Sequence, residues 1–146
     1  MPIYRDRSNR KSVSEVTQIV RRHPVRYTAE EMNTRWLQVT GMMGLSAVVL
    51  GAYGAHGMKD RTDAMKESWR TASNYHFMHT LALAVSATAF TGKKRNMVCS
   101  LFTSGIVIFS GACYTVALMN ERKPYAQFAP LGGFLLMGGW IAFGFL

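Results

Sequence analysis

The chain has 146 residues and a formal net charge of +9, and 49% of its residues are hydrophobic. Its length suits one domain. The basic residues gather in the first 35 positions and in short segments between apolar blocks, which is typical of membrane proteins. Nucleic acid is therefore not an expected partner, because that function needs a basic stripe with exposed aromatic residues.

The first predicted region is a basic N-terminal extension over residues 1–35, which holds eight Lys or Arg and four Asp or Glu. Ser12 is placed to cap a short amphipathic helix over residues 13–20, and Pro24 follows its end. Three roles are open for this predicted helix. It could lie on an anionic membrane surface, dock on a partner protein or belong to a solvated arm. Residues 28–31 match a capping box that starts the next helix before it enters lipid.

The second predicted region is a transmembrane domain over residues 36–146. It contains four uncharged segments, each of about the 20 residues that a bilayer-spanning helix requires. The linkers between them are short, which forces consecutive helices to run antiparallel. The predicted fold class is an all-α membrane protein, an antiparallel four-helix transmembrane bundle, with spans at about 36–57, 71–91, 97–119 and 125–145.

The linkers predict the orientation of these spans. The extension and the linker at 93–95 hold eleven Lys or Arg, whereas the segments 59–70 and 121–123 on the other side hold six. Both termini should therefore face the matrix of a mitochondrion or the cytoplasm of a bacterium. The segment 58–70 is polar and compatible with a helix, and Trp69 within it is expected to anchor at the membrane interface.

Small residues should let the spans pack closely, because the hydrophobic effect does not drive helix association within lipid. The first span has Ala47, Gly51 and Ala55 at every fourth position. The third and fourth spans carry further small residues, namely Ser100, Ser104, Gly111, Gly132, Gly133, Gly138, Gly139 and Gly144.

Polar residues of the four spans are predicted to form one layer near the surface opposite the termini, on the helical rise of about 1.5 Å per residue. Tyr75 and His79 share a face, and His76 is turned by roughly 60° from it. The predicted layer consists of His56, Tyr75, His79, Ser110 and Tyr114.

Several roles are open for this layer. A neutral histidine hydrogen-bonded across helices would lock the bundle, whereas an ionisable residue in a span can also mark a small-molecule, lipid or quinone pocket, a haem or metal site, or a proton relay. The spans contain no carboxylate to orient a histidine, so catalysis is not expected. No cofactor and no metal are predicted, and residues Lys93, Lys94 and Arg95 are predicted to meet lipid headgroups such as cardiolipin.

Four motifs resemble those of the transmembrane protein 256 family, small four-span proteins of bacteria and mitochondria with no established activity. The resemblance covers residues 36–146, and the basic extension departs from it, so the resemblance implies nothing about residues 1–35. Tyr53 in the first motif and Ala112-Cys113 in the third are mild departures. The motifs are Gly51-Ala-Tyr-Gly-Ala-His56, Thr71 with Tyr75 and His79-Thr-Leu-Ala82, Phe109-Ser-Gly111 with Tyr114 and Ala117-Leu118, and Pro130-Leu-Gly-Gly133 with Gly139-Trp140.

The predicted function is that of a non-catalytic accessory subunit in a mitochondrial inner-membrane complex, of the respiratory kind. Its partners would be other integral membrane subunits and phospholipid. The alternative is a stand-alone membrane protein with a haem, quinone, lipid or solute site around His56, Tyr75 and His79. A bacterial inner membrane is the alternative location.

Overall fold

A computed structural model describes residues 29–119 and 125–145, and it describes side chains from Thr34 onward. These residues form four α-helices, namely α1 (Ala29–Gly57), α2 (Asp63–Ala89), α3 (Gly92–Met119) and α4 (Ala129–Phe145), and a 3₁₀ helix (Tyr125–Phe128) that precedes α4. The described part of the chain contains no strand. The predicted amphipathic helix and the cap at Thr28 lie outside the described residues.

Helix α2 begins eight residues before the span predicted at residue 71. Thr62 caps it, because its hydroxyl oxygen accepts a hydrogen bond from the amide of Met65 at 3.4 Å, and Asp63 adds an acidic residue to the first turn. The polar segment after the first span is thus largely helical, as its sequence indicated.

The turn between α2 and α3 is shorter than predicted. Residues 92–96 were expected to form a linker, but they are the first residues of α3. Gly92 has a φ of 57°, which is in the left-handed region, and it lets the chain reverse directly after Phe90 and Thr91.

The consecutive helices are antiparallel, as predicted. Between α1 and α2, Leu50 contacts Trp69 and Ser46 contacts His76, so the residue numbers rise on one helix as they fall on the other. The indole of Trp36 on α1 donates to the side-chain oxygen of Asn96 on α3 at 2.9 Å, which places the beginnings of these two helices side by side.

Three helical segments are long and apolar enough to cross a membrane, namely Thr34–Gly57, Gly92–Met119 and Tyr125–Phe145. Helix α2 is less apolar because it carries buried histidine, serine and threonine residues. It connects the end of α1 to the beginning of α3, and the beginnings of α1 and α3 meet at Trp36 and Asn96, so α2 returns through the thickness that α1 crosses. The protein is an all-α membrane bundle.

Helices α3 and α4 cross at glycines. A Cβ atom on Gly132 would overlap the backbone nitrogen of Phe109, and one on Gly105 would lie 2.6 Å from the side chain of Leu136. Such close approach is the usual way for helices to associate in lipid. Gly111 does not take part in this crossing, because a Cβ atom there would meet no other atom within 4 Å. Small residues can also pack against other proteins, and for Gly111 that role stays a prediction.

Candidate functional site

The inward face of α2 is a single stripe that combines apolar and polar residues. Its members are spaced alternately by four and three positions, the pattern of helices packed at a shallow angle. The buried positions of this stripe are Met65, Trp69, Ala72, His76, His79, Leu83 and Ser86.

His79 is fully hydrogen-bonded. Its Nδ1 atom lies 2.8 Å from the backbone carbonyl oxygen of Tyr75, and the indole N–H of Trp140 on α4 donates to its Nε2 atom at 3.2 Å. A carbonyl oxygen only accepts and an indole N–H only donates, so His79 is neutral with its proton on Nδ1. Neither ring nitrogen has a lone pair left for a metal or a haem iron.

His76 faces α1 instead. Its Nε2 atom lies 3.3 Å from the hydroxyl oxygen of Ser46, and that hydroxyl lies 2.9 Å from the carbonyl oxygen of Met43, to which it donates. Because the single hydroxyl proton of Ser46 is used, the Nε2 atom of His76 is the donor of this pair. Its Nδ1 atom makes no hydrogen bond within the described part of the chain.

Trp69 lies in the core, so the expectation that it anchors at the interface is wrong. Only 4% of this residue is exposed, and its indole N–H donates to the carbonyl oxygen of Leu50 on α1 at 3.1 Å. Gly54 makes room for this contact, because a Cβ atom there would overlap the indole ring. The rings of Tyr53 and Tyr114 pack on either side at centroid distances of 5.1 and 4.6 Å.

The five residues of the predicted polar layer do not share one site. His79, Ser110 and Tyr114 are buried, whereas His56 is exposed at the end of α1 and 43% of Tyr75 is exposed. No hydrogen bond or ring contact among the described residues joins His56 to the other four. Ligand binding by this layer stays a prediction.

The layer divides into two groups along α2. Tyr75 and His79 stack at 5.5 Å, and the ring of Tyr75 also packs 4.5 Å from Phe109 on α3. Tyr114 belongs to the other group, with Trp69 and His76. Ser73 is a polar neighbour of the Tyr114 hydroxyl, although that hydroxyl forms no hydrogen bond of good geometry with a described residue.

His76, Trp69 and Trp140 were named from the sequence but were not included in the predicted polar layer. The alternating spacing of the α2 stripe includes both His76 and Trp69, and counting back from the apolar Leu83 would have found them. Nothing in the sequence pairs Trp140 with His79, because that contact depends on how α4 lies against α2.

The predicted headgroup residues face different surroundings. Lys93 is exposed, Lys94 lies over the ring of Phe90 with its Nζ atom 4.2 Å from the centroid, and only 3% of Arg95 is exposed. The side chain of Arg95 therefore points into the bundle, and a headgroup role at this end remains a prediction for Lys93 and Lys94.

Some of the polar groups connect helices, whereas Thr80 and Ser86 bond to carbonyl oxygens of their own helix. His76 and Trp69 donate to residues of α1, His79 accepts from Trp140 on α4, and Ser68 donates to the carbonyl oxygen of Cys113 on α3 at 3.0 Å. Among residues 29–119 and 125–145 no three His, Cys, Asp or Glu residues are grouped so as to hold a metal ion.

An antiparallel bundle of membrane-spanning helices around one polar helix defines a small polytopic membrane protein. The chain belongs to the family described as protein of unknown function (DUF423), whose family model matches residues 50–133. This agrees with the resemblance of its motifs to small four-span proteins of bacteria and mitochondria.

Relatives occur in a yeast and in bacteria. A UPF0382 membrane protein of Schizosaccharomyces pombe is 36% identical over 114 residues, which cover 73% of this chain and 95% of the relative. One of Haemophilus influenzae is 33% identical over 114 residues, 76% of this chain and 91% of the relative. One of Bacillus subtilis is 36% identical over 104 residues, 66% and 82% of the two chains. No solved structure gives a significant match.

Proposed function

We propose that the protein is a non-catalytic accessory subunit of a membrane protein complex, which we place in the mitochondrial inner membrane and in a respiratory assembly. This proposal rests on the exposure of α1, which is covered little by the rest of the described chain. Only 6% of the apolar window of α1 is buried within the chain, against 39% of that of α3. A helix of another subunit lying on α1 would complete its packing.

The glycines of α1 support a protein partner at this face. A Cβ atom on Gly41 would meet no other atom within 4 Å, and the residue is exposed, so this glycine serves no contact within the described part of the chain. Small residues at the surface of a membrane helix allow another helix to come close. The exposed side chains of Leu45 and Val48 would flank such a contact.

The buried polar residues favour a structural role over a catalytic one. Both nitrogens of His79 are engaged in hydrogen bonds, and the described spans offer no carboxylate beside either buried histidine. The haem alternative is disfavoured for the same reason, since His79 has no free lone pair and His56 lies exposed at the end of α1.

The proposed location rests on charge and family. Eleven Lys or Arg precede the first span or lie at 93–95, against six on the other side, which favours both termini in the matrix. A relative in a yeast is compatible with an organelle membrane. Cardiolipin headgroups at Lys93 and Lys94 would add to the association.

The test compares two leucine substitutions. Gly41→Leu and Gly144→Leu both replace a glycine that has open space, so both variants should fold, but only the first lies on α1. The full chain is solubilised from its native membrane in a mild detergent and its assembly is followed by native electrophoresis. We expect the parent chain and Gly144→Leu to migrate in one large complex, and Gly41→Leu to be largely released.

Migration of the parent chain alone, at its mass of 16.3 kDa plus detergent, would overturn the proposal. Equal complex formation by all three chains would remove α1 as the docking face.

A further inference from the structure

A cleft of about 550 Å³ opens between the end of α1 and the first half of α2. Its α1 wall is made of small residues. A Cβ atom on Gly51 would lie 3.7 Å from the hydroxyl oxygen of Ser73 across the cleft, and Ala55 is exposed one turn further on. This side of the bundle is opposite the termini, and the cleft is separate from Lys93 and Lys94.

Every charged residue that lines the cleft is a cation, namely Lys59, Lys66 and Arg70. Lys66 and Arg70 also form ion pairs with acidic residues one turn before them, at 3.9 and 3.1 Å, which lie outside the cleft wall. Exposed ion pairs of this kind contribute little to stability, so both cations remain able to bind an anion.

A polar side chain continues the cleft below its basic rim. Asn74 lies four residues after Arg70, about 6 Å further along α2. Its side-chain amide forms no hydrogen bond with a described residue, although it is exposed in a helix that crosses the membrane. At this depth, close to the membrane surface, its amide can donate hydrogen bonds to the oxygens of a bound lipid.

The residues on the outer face of α2 change from charged to apolar along the helix. Its residues are Lys66, Arg70, Asn74, Phe77 and Leu81, spaced by three or four positions, so they share a face. Two cations come first, an amide follows, and the last two residues are apolar with 52% and 54% of their surfaces exposed. This order matches that of a phospholipid, with an anionic phosphate, polar ester groups and acyl chains.

We propose that the cleft between α1 and α2 binds an anionic phospholipid, with its phosphate held by Lys66 and Arg70 and its ester region next to Asn74. An arginine binds phosphate through paired N–H donors and a lysine as a point charge. Basic pockets between membrane helices bind acidic headgroups in this way. The exposed aromatic and aliphatic residues below would lie along the acyl chains.

The test uses the purified full chain in a neutral detergent and native mass spectrometry to measure dissociation constants. The ligands are dioctanoyl phosphatidylglycerol, dioctanoylglycerol (which lacks the phosphate) and inorganic phosphate. We expect phosphatidylglycerol to bind and dioctanoylglycerol to bind much more weakly. The double variant Lys66→Gln, Arg70→Gln should bind phosphatidylglycerol about tenfold more weakly or worse. Each cation near a membrane surface contributes about 1 kcal/mol, which is a factor of roughly five in affinity.

The matched control is Arg61→Gln, compared with Arg70→Gln. Arg61 is an exposed cation on the same surface but does not line the cleft, so its loss should change the affinity by less than about twofold. Asn74→Leu keeps the charge and should also weaken binding. Its readout remains available if the double variant at Lys66 and Arg70 is unstable.

Three results would overturn the proposal. These are unchanged binding in both cleft variants, equal losses in Arg70→Gln and Arg61→Gln, and tight binding of dioctanoylglycerol. Displacement of the lipid by millimolar inorganic phosphate would overturn the lipid assignment and leave a site for the free anion. The isolated chain is used throughout, so failure here is distinct from failure of the accessory-subunit proposal.

Discussion

The two buried histidines of α2 are held in different ways. His79 has a hydrogen bond at each ring nitrogen, one of them from Trp140 on another helix, whereas His76 has one from Ser46 and a second nitrogen without a partner among the described residues. A hydrogen bond between membrane helices contributes about 0.6–2 kcal/mol. The hydrogen bond between His79 and Trp140 should therefore make a measurable contribution to the packing of α2 against α4.

A double-mutant cycle should detect this hydrogen bond. His79→Leu leaves the indole N–H without an acceptor, and Trp140→Phe leaves the histidine nitrogen without a donor, so each should lower the free energy of unfolding by about 1–2 kcal/mol. The double variant should lose less than the sum, by about 0.5–1.5 kcal/mol. Unfolding of the purified protein is measured by titration with sodium dodecyl sulfate in mixed micelles.

The control for this cycle is Trp36→Phe, whose indole donates to Asn96 and not to His79. Combined with His79→Leu it should be additive. Additivity in the cycle with Trp140 as well would show that the 3.2 Å contact does not contribute to stability.

At the scale of single residues, the sequence located the polar positions better than their partners. It identified His79, Ser110 and Tyr114, which are buried, but it favoured Tyr75 over the neighbouring His76. Consecutive residues of a helix differ by about 100° in direction. Which of two adjacent polar residues faces inward depends on the neighbouring helices, and polarity alone does not contain that information.

At the scale of helices, contacts between α3 and α4 require glycine at some positions and tolerate alanine at others. Gly132 lies against the backbone of Phe109, whereas a Cβ atom on the adjacent Gly133 would lie 3.9 Å from the ring of the same residue, an ordinary contact. The two glycines share almost the same depth, so they form a matched pair for testing the crossing.

Gly132→Ala should destabilise the bundle by about 1–3 kcal/mol, because the added methyl group forces the two backbones apart. Gly133→Ala should be neutral or stabilise the protein by up to about 1 kcal/mol, since alanine favours the helix more than glycine does. Thermal unfolding in detergent, followed by circular dichroism, measures both. Equal effects of the two substitutions would contradict this description of the crossing.

Two ends of the predicted spans agree with helix ends, but the lengths of the helices differ from the predicted lengths. The predicted spans 36–57 and 97–119 end where α1 and α3 end, at Gly57 and Met119. Their beginnings were less accurate, because polar residues continue a helix beyond the membrane surface, as they do from Asp63 in α2. Hydropathy marks the apolar part of a helix, whereas caps such as Thr62 mark its ends.

At the scale of the whole molecule, α2 connects α1 to the rest of the bundle. It is the least apolar of the four helices, and its inward stripe contacts α1, α3 and α4 through Trp69, His76 and His79. The buried polar residues of this stripe are covered by the other helices, whereas Asp63, Glu67, Arg70 and Asn74 are exposed. This explains how a helix that is too polar for a simple span crosses the membrane within the bundle.

The bundle makes a specific prediction about the sides of the membrane. Lys59 follows the end of α1, and Lys93 is at the beginning of α3, so the two residues lie on opposite surfaces. With the termini in the matrix, as the distribution of Lys and Arg favours, Lys59 faces the intermembrane space. Single Lys59→Cys and Lys93→Cys variants should therefore react differently with a membrane-impermeant maleimide.

In mitochondria whose outer membrane has been opened, Lys59→Cys should be labelled at once, and Lys93→Cys only after detergent is added. The parent chain is the control, because its Cys99 and Cys113 lie within α3, the first buried and the second half-buried. The reversed pattern would place the termini in the intermembrane space. Labelling of both variants before detergent would place the two residues on the same side of the membrane. Because only α2 lies between them, this result would mean that α2 does not cross the membrane.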